Sequence, residues 1–288
     1  MIGARHTSSQ RPTSAHSREF GEELRRIRKR VGLKGLVVEQ KLEWTMGKLS
    51  KMEAGVQGAG DGELGALLGT YGVDRATRTR ITRLSREQDR SCFVRAHHGE
   101  PPDALLCLRM HEACALTITC FEPLVIPPLA QTAPYAQALS ASQVQARMDR
   151  QDVLRGSSSP DTVFYVHEAA LHLVVGDAAT MHDQCLRLAS LCDWTRITPR
   201  VVPLSAGAHT ALRHASTYLT FAEPLKPLAY AETDNATVFI DEAKAIEEQR
   251  QKFALLDQLA LDIEQSRKMF EHWAGVYDPS DPGEQLER

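Results

Sequence analysis

Apolar positions recur at helical spacing through the first third of the chain. Phe20, Leu24, Ile27 and Val31 form a stripe that predicts an amphipathic helix over residues 18–31. Leu33, Val38, Leu42, Trp44, Leu49 and Met52 follow and fit two short helices, residues 34–41 and 45–53, joined by Leu42-Glu43-Trp44. Val38 and Leu42 share one face of the first, Leu49 and Met52 one face of the second. Thr45 suits the N-cap of the second helix, and Gly55 a left-handed exit from it. A Gly-rich loop follows over 56–62. Asp61 is then expected to cap a helix over 63–71 with Leu64, Leu67, Leu68 and Tyr71 inward. Gly72-Val73-Asp74 reads as a stop and a new cap, starting a fifth helix over 76–88 with Ile81 and Leu84 inward. Five helices in about seventy residues make one bundle.

His97-His98-Gly99-Glu100-Pro101-Pro102 breaks the pattern near residues 96–103. Beyond it, helices are expected over 104–119, 134–142, 142–155, 168–175, 179–191 and 242–273, the last broken near Ser266. Residues 121–131 contain Pro123, Pro127 and Pro128 and should be extended or turning. Strands are expected at 162–166, 200–202, 218–221, 228–231 and 237–240. The predicted class is α+β: an N-terminal five-helix bundle, then a larger helical domain with a small mixed or antiparallel sheet. The expected divisions are a disordered tail at 1–17, a helix-turn-helix domain at 18–90, a C-terminal domain at 104–275 and a loose tail at 276–288.

Charge sharpens this picture. Net charge is −3, but residues 18–88 hold 15 Lys/Arg against 10 Asp/Glu, and residues 89–288 hold 17 against 27. A basic front on an acidic remainder suits a protein whose front touches an anion. The outer face of the second short helix carries Met46, Gly47, Lys48 and Lys51, with Lys34 and Thr45 close by. A short helix with two outward lysines fits a major groove and its phosphates. No apolar run reaches the ~18 residues of a membrane span, and residues 1–17 lack the apolar middle of a leader, so a cytoplasmic protein is expected. Cys92, Cys107, Cys114, Cys120, Cys185 and Cys192 form no C-x-x-C pair and are expected as small buried apolar residues. His97 and His98 cannot share a helix face and have no partner at ligand spacing. No metal or cofactor motif, Gly-rich phosphate loop or nucleophile elbow is present.

Gly32-Leu33, Val38, Leu42, Trp44-Thr45, Lys48-Leu49-Ser50-Lys51, Glu53 and Tyr71-Gly72-Val73 resemble the Xre/Cro-type helix-turn-helix of filamentous actinobacteria. A second string resembles the antitoxin-like C-terminal domain that those regulators carry. It runs through Phe121-Glu122-Pro123, Ile126-Pro127, Leu129-Ala130-Gln131-Thr132, Tyr135-Ala136, Arg147-Met148 and Arg150-Gln151. It continues with His167-Glu168-Ala169-Ala170-Leu171, Gly176, Val201-Val202-Pro203, Gly207-Ala208-His209 and Tyr230-Ala231-Glu232. The resemblance implies a homodimeric cytoplasmic transcriptional regulator that binds double-stranded DNA. Such regulators often act on development or secondary metabolism, and are often encoded beside a very small partner protein.

The sequence departs from that family's pattern at the expected DNA contacts. Glu39 stands where Ala or Gly is usual, and Gly35 where a polar phosphate contact is usual. Glu43 occupies the left-handed turn position, where a non-Gly residue costs roughly 1 kcal/mol. The base-reading positions fall on Met46, Gly47 and Lys51. Met and Gly cannot make the bidentate base contacts worth ~1–3 kcal/mol each. The rival reading is an eroded motif on a protein recruited as an enzyme or binding module, with Glu39 and Glu43 repelling phosphate. Its candidate pocket joins Glu168, His209 and Glu232, with His214 also in view, for ligand binding or proton transfer. A plainer reading has Glu168 capping a helix and His209 satisfying loop carbonyls.

Overall fold

Five helices build the N-terminal part: α1 (Ala15–Arg30), α2 (Gly35–Lys41), α3 (Lys48–Glu53), α4 (Asp61–Thr70) and α5 (Arg75–Arg86). The computed structural model describes residues 13–87, 91–97, 103–141 and 144–280. Leu24 and Ile27 of α1, Val38, Leu49, Leu67 and Ile81 meet in one apolar cluster, so each helix buries the stripe that its periodicity predicts. The start of α1 departs from expectation. Ser14 Oγ accepts from the Ser17 amide at 3.2 Å, and the Ala15 amide donates to Asp241 Oδ2 at 2.8 Å. These bonds satisfy first-turn donors and make residues 15–17 helical rather than tail. Residues 1–12 and 281–288 of the expected tails lie outside the described residues, as do 98–102 of the expected break. Asp74 caps α5 as expected, accepting from the Thr77 amide at 2.7 Å. Asp61, by contrast, is the first helical residue of α4; Gly60 holds the cap position.

The C-terminal part is built on a sheet, and the sheet is not small. Its seven strands are β1 (Cys92–Ala96), β2 (Thr117–Glu122), β3 (Asp161–His167), β4 (Ile197–Val202), β5 (Ser216–Thr220), β6 (Leu228–Glu232) and β7 (Ala236–Ile240). They stand in the order β1-β7-β6-β5-β2-β3-β4. β2, β3 and β4 are parallel; the other neighbours are antiparallel. Two strands were not foreseen. The helix expected over 104–119 stops at Ala113 as α6 (Ala104–Ala113), and the β-branched run Thr117-Ile118-Thr119 opens β2 at the centre of the sheet. β1 is an edge strand.

The crossovers between parallel strands carry α7 (Ala133–Leu139), α8 (Val144–Arg150), α9 (Ala169–His172) and α10 (Ala178–Leu191). The last helices are α11 (Ala243–Leu259) and α12 (Ile263–Val276), where a long helix broken near Ser266 is expected. The break falls at Asp262, which accepts from the Gln265 amide at 2.8 Å while Gln265 Oε1 accepts from the Asp262 amide at 3.1 Å. One sheet face, with Cys120, Phe164, Tyr230 and Phe239, packs with α6, α10 and α12. The other, with Phe121 and Tyr165, packs against Phe253 and Leu256 of α11. Cys107, Cys120, Cys185 and Cys192 are buried thiols as expected, but Cys92 and Cys114 are exposed. Among the described residues no helix is long and apolar enough to cross a membrane.

The two parts meet along α1. Arg95 of β1 holds Glu19 of α1 through two bonds of 2.6 and 2.7 Å, and the Cys107 thiol donates to the same carboxylate at 2.7 Å.

Candidate nucleic-acid interface

The motif folds as α2, a turn and α3, but its second helix is shorter than expected. α3 begins at Lys48, after Gly47 in the left-handed region at φ 83°. Thr45 is exposed and caps nothing. The cap comes from the neighbouring helix instead. Glu39 on α2 is 6% exposed, and its Oε1 accepts from the Leu49 amide at 2.9 Å. A carboxylate at the positive end of a helix is favourable, and here it also satisfies an orphan donor. Glu39 is therefore a tie between the two helices and does not face a phosphate. Glu43 takes the left-handed turn conformation, φ 53°, without glycine's freedom. At the far end of α3, Glu53 receives a bidentate bond from Arg28 on α1, at 2.6 and 2.8 Å. Arg28 also donates to the Leu33 carbonyl at 2.9 Å, and the Glu53 bond raises its pKa.

The two lysines of α3 have separate fates. Lys51 is exposed. Lys48 is half-buried, ion-paired with Glu63 of α4, and lies 4.7 Å over the Trp44 ring. That bond draws the Glu63 pKa below its ordinary value. The other exposed side chains on α2, the turn and α3 include Lys34, Lys41 and Met46, the last 85% exposed. Much of the basic charge of α1 is spent internally: Arg25 on Glu22, Arg26 on Glu23 and Arg28 on Glu53.

Residues 19–81 match a family model described as a helix-turn-helix domain. Residues 107–272, more than half of the chain, match a domain of unknown function, DUF5753. The chain belongs to the DUF5753 family. No curated protein matches it. The helix-turn-helix match, together with the α2-turn-α3 geometry, makes the front of this DUF5753 protein a DNA-binding domain of the regulator kind.

Within the DUF5753 region the three expected pocket residues do not form one site. Glu168 occupies the N-cap position of α9, but its side chain makes no cap bond there. Its Oε2 accepts from the Leu204 amide at 2.7 Å, and its Oε1 lies 3.6 Å from His172 Nε2. His209 is half-buried before a short 3-10 turn, and His214 is exposed. Glu232 lies elsewhere, on a pocket of about 450 Å³ that it lines with Arg150, Arg147, Gln131 and His97. No hydrogen bond or ion pair among the described residues joins Glu168, His209 and Glu232.

The chemistry of that pocket rests on residues that sequence reasoning did not single out as ionisable partners. Arg150 is buried and binds Glu112 at 2.6 and 3.1 Å, and Tyr230 donates to Glu112 at 2.8 Å. Arg150 also reaches Glu232 at 3.4 Å. Burial and the nearby Glu232 push the Glu122 carboxyl up to about 8. The sequence carried no signal for this, since Arg150 stands between Asp149 and Gln151-Asp152; only its burial in the fold requires a carboxylate partner.

Proposed function

We propose that this protein is a sequence-specific DNA-binding transcriptional regulator that presents α3 to the major groove. The observation that carries the reading is the exposure of Lys51 and Met46 on a motif fixed at both ends of α3, by Glu39 and by Arg28. A recognition helix must be held rigidly to read base edges. Lys51 is the polar base-reading group, Met46 meets thymine methyls, and Lys34 and Lys41 face phosphates. Lys48, engaged by Glu63, is secondary. The DUF5753 part makes a homodimer and receives a protein or small-molecule signal. The family resemblance supports that role, as it supports control of development or secondary metabolism and a small partner protein encoded nearby.

The test is a salt titration of binding to the DNA upstream of the protein's own gene. Affinity should fall steeply with salt. Lys34→Ala should weaken binding to all sequences and flatten the salt slope by about 1, whereas Lys51→Ala should also change site preference. Lys48→Ala should change affinity less than either. Absence of binding at ~50 mM salt would overturn the reading.

A further inference from the structure

The seam between α1 and the DUF5753 part encloses a pocket of about 190 Å³, roughly six water volumes at ~30 Å³ each. Two of its lining side chains are buried yet short of partners: Arg18 is 8% exposed and His111 1%. Arg18 Nη1 donates to the carbonyls of Thr13 at 3.0 Å and Lys226 at 3.3 Å, and the guanidinium lies 4.5 Å over the Phe221 ring. Among the described residues, Arg18 Nε and Nη2 have no acceptor and His111 Nε2 has no partner. Nε and Nη2 form one edge of the guanidinium, the pair of parallel N–H bonds that a carboxylate takes in bidentate fashion.

That edge is buried and unpartnered in a residue of the pocket wall. Asp241 attracts Arg18 through space; its Oδ2 accepts from the Ala15 amide, and its Oδ1 is buried with no hydrogen bond to Arg18 or to any other described residue. At the rim, Glu53 is bound by Arg28 and Glu22 by Arg25, so neither carboxylate is free to turn inward. Burial lowers the Arg18 pKa to about 10, which keeps it charged at neutral pH, and burial beside Arg18 keeps His111 neutral. A buried cation with an open edge is costly and calls for an anion. The rest of the wall, Met110, Leu225 and Ala54, is apolar.

We propose that this seam binds a small organic monocarboxylate with an apolar body. Its carboxylate sits on Arg18 Nε and Nη2, with His111 Nε2 as a third partner. The apolar part lies against Met110, Leu225 and Ala54.

The same seam carries the contact between α1 and α3. A Cβ on Gly21 would stand 2.6 Å from the carbonyl oxygens of Met52 and Glu53. A Cβ on Gly55, at φ 72°, would stand 2.6 Å from Ser17 and 2.7 Å from the Arg18 amide nitrogen. The backbone of Arg18 thus bears directly on the end of the recognition helix. A ligand that moves Arg18 also moves α3, so acid binding is coupled to DNA binding. That coupling rests on the DNA-binding reading; the ligand site does not.

The test titrates the full chain by calorimetry with hexanoate and phenylacetate, against hexanamide and phenylacetamide as neutral counterparts. Alkylation by N-ethylmaleimide is a second readout, because Cys114 is an exposed thiol on the pocket wall and Cys92 is an exposed thiol outside that wall. The expected result is saturable one-to-one binding of at least one acid, at least tenfold weaker binding of its amide, and protection of Cys114 but not Cys92. Arg18→Met should weaken acid binding at least tenfold and leave the weak binding of the amide unchanged, whereas a merely structural Arg18 would weaken both alike. Met110→Trp fills the pocket and should abolish binding with Arg18 intact, which keeps the proposal testable if Arg18→Met does not fold. Equal binding of acid and amide, no acid binding at millimolar concentration, or binding that survives both substitutions would overturn the site. Acid binding without any change in DNA affinity overturns the coupling alone. Acid binding with no DNA binding at any salt overturns the regulator reading and leaves the site standing.

Discussion

Glu122 shows how far a single residue can be moved by its surroundings. It ends β2 beside Glu232, and burial with a second carboxylate nearby raises its pKa to about 8. An unfolded chain releases that proton near pH ~4.3. The stabilising contribution of the protonated Glu122 is therefore complete below pH ~4.3, shrinks across the window up to about 8, and is gone above it. Glu122→Gln keeps the shape and removes the charge. Its stability relative to the parent should rise from pH 5 to pH 8, by at most ~1.4 kcal/mol per unit. Urea unfolding at several pH values checks this, and a flat difference would mean that Glu122 is ionised throughout. The sequence gives no hint of the shift, because it arises where Glu122 and Glu232 meet across β5, about a hundred residues apart in the chain. Lys51 was readable in advance because its exposure follows from helical period, whereas Met46 is exposed in the turn before α3 and not on the helix that the periodicity predicts.

Among the elements, α3 is the clearest case of a segment that cannot stand alone. Six residues are far below the length at which an isolated helix persists in water. Gly47 offers no side-chain cap, so the Leu49 amide depends on Glu39. The resemblance would make Ala harmless at that position, but the geometry reverses this. Glu39→Ala should cost about 1 kcal/mol, within a range of ~0.5–2, and expose the Leu49 amide to faster hydrogen exchange. Equal stability with unchanged Leu49 protection would show that the carboxylate is not the cap. Helices were legible wherever one face meets a core, as in α1 and α10, because a stripe in sequence becomes a stripe in space. β2 was not legible, because its alternation covers only Thr117–Cys120, too short a run to separate it from the helical pattern of α6 that precedes it. β1 escaped for a different reason: five residues at the sheet edge carry Arg95 on the side that meets α1, which breaks the expected apolar-in pattern.

At the scale of the whole molecule, the question is whether the DNA-binding bundle and the sheet move as one body. The seam that joins them is partly ionic. Arg95 donates to Glu19 at 2.6 and 2.7 Å and to Glu87 at 2.9 Å, so one side chain of β1 grips both ends of the bundle's chain. Glu19 is 1% exposed, and its other close partner is the neutral Cys107 thiol, which burial and the carboxylate hold well above its usual pKa. Removing the arginine would leave a buried carboxylate with no cation. Such breaks cost ~3–5 kcal/mol, far more than an exposed ion pair contributes. Arg95→Ala should therefore lower the stability of the full chain by about that amount and split a single calorimetric transition into two, the bundle melting first. Glu19→Gln combined with Arg95→Met removes both charges and should recover most of the loss, since the cost lies in the unpaired carboxylate rather than in the missing pair. A loss below ~1 kcal/mol with one transition retained would mean that water reaches Glu19 and that the ion pair does not hold the seam. The two outcomes differ in what they allow the protein to do. With a rigid seam, the orientation of α3 is set by the sheet, and anything that binds the sheet edge or the pocket at Arg18 changes how α3 is presented. With a loose seam, the bundle would search a groove on its own, and the rest of the chain would have no physical means of influencing the encounter.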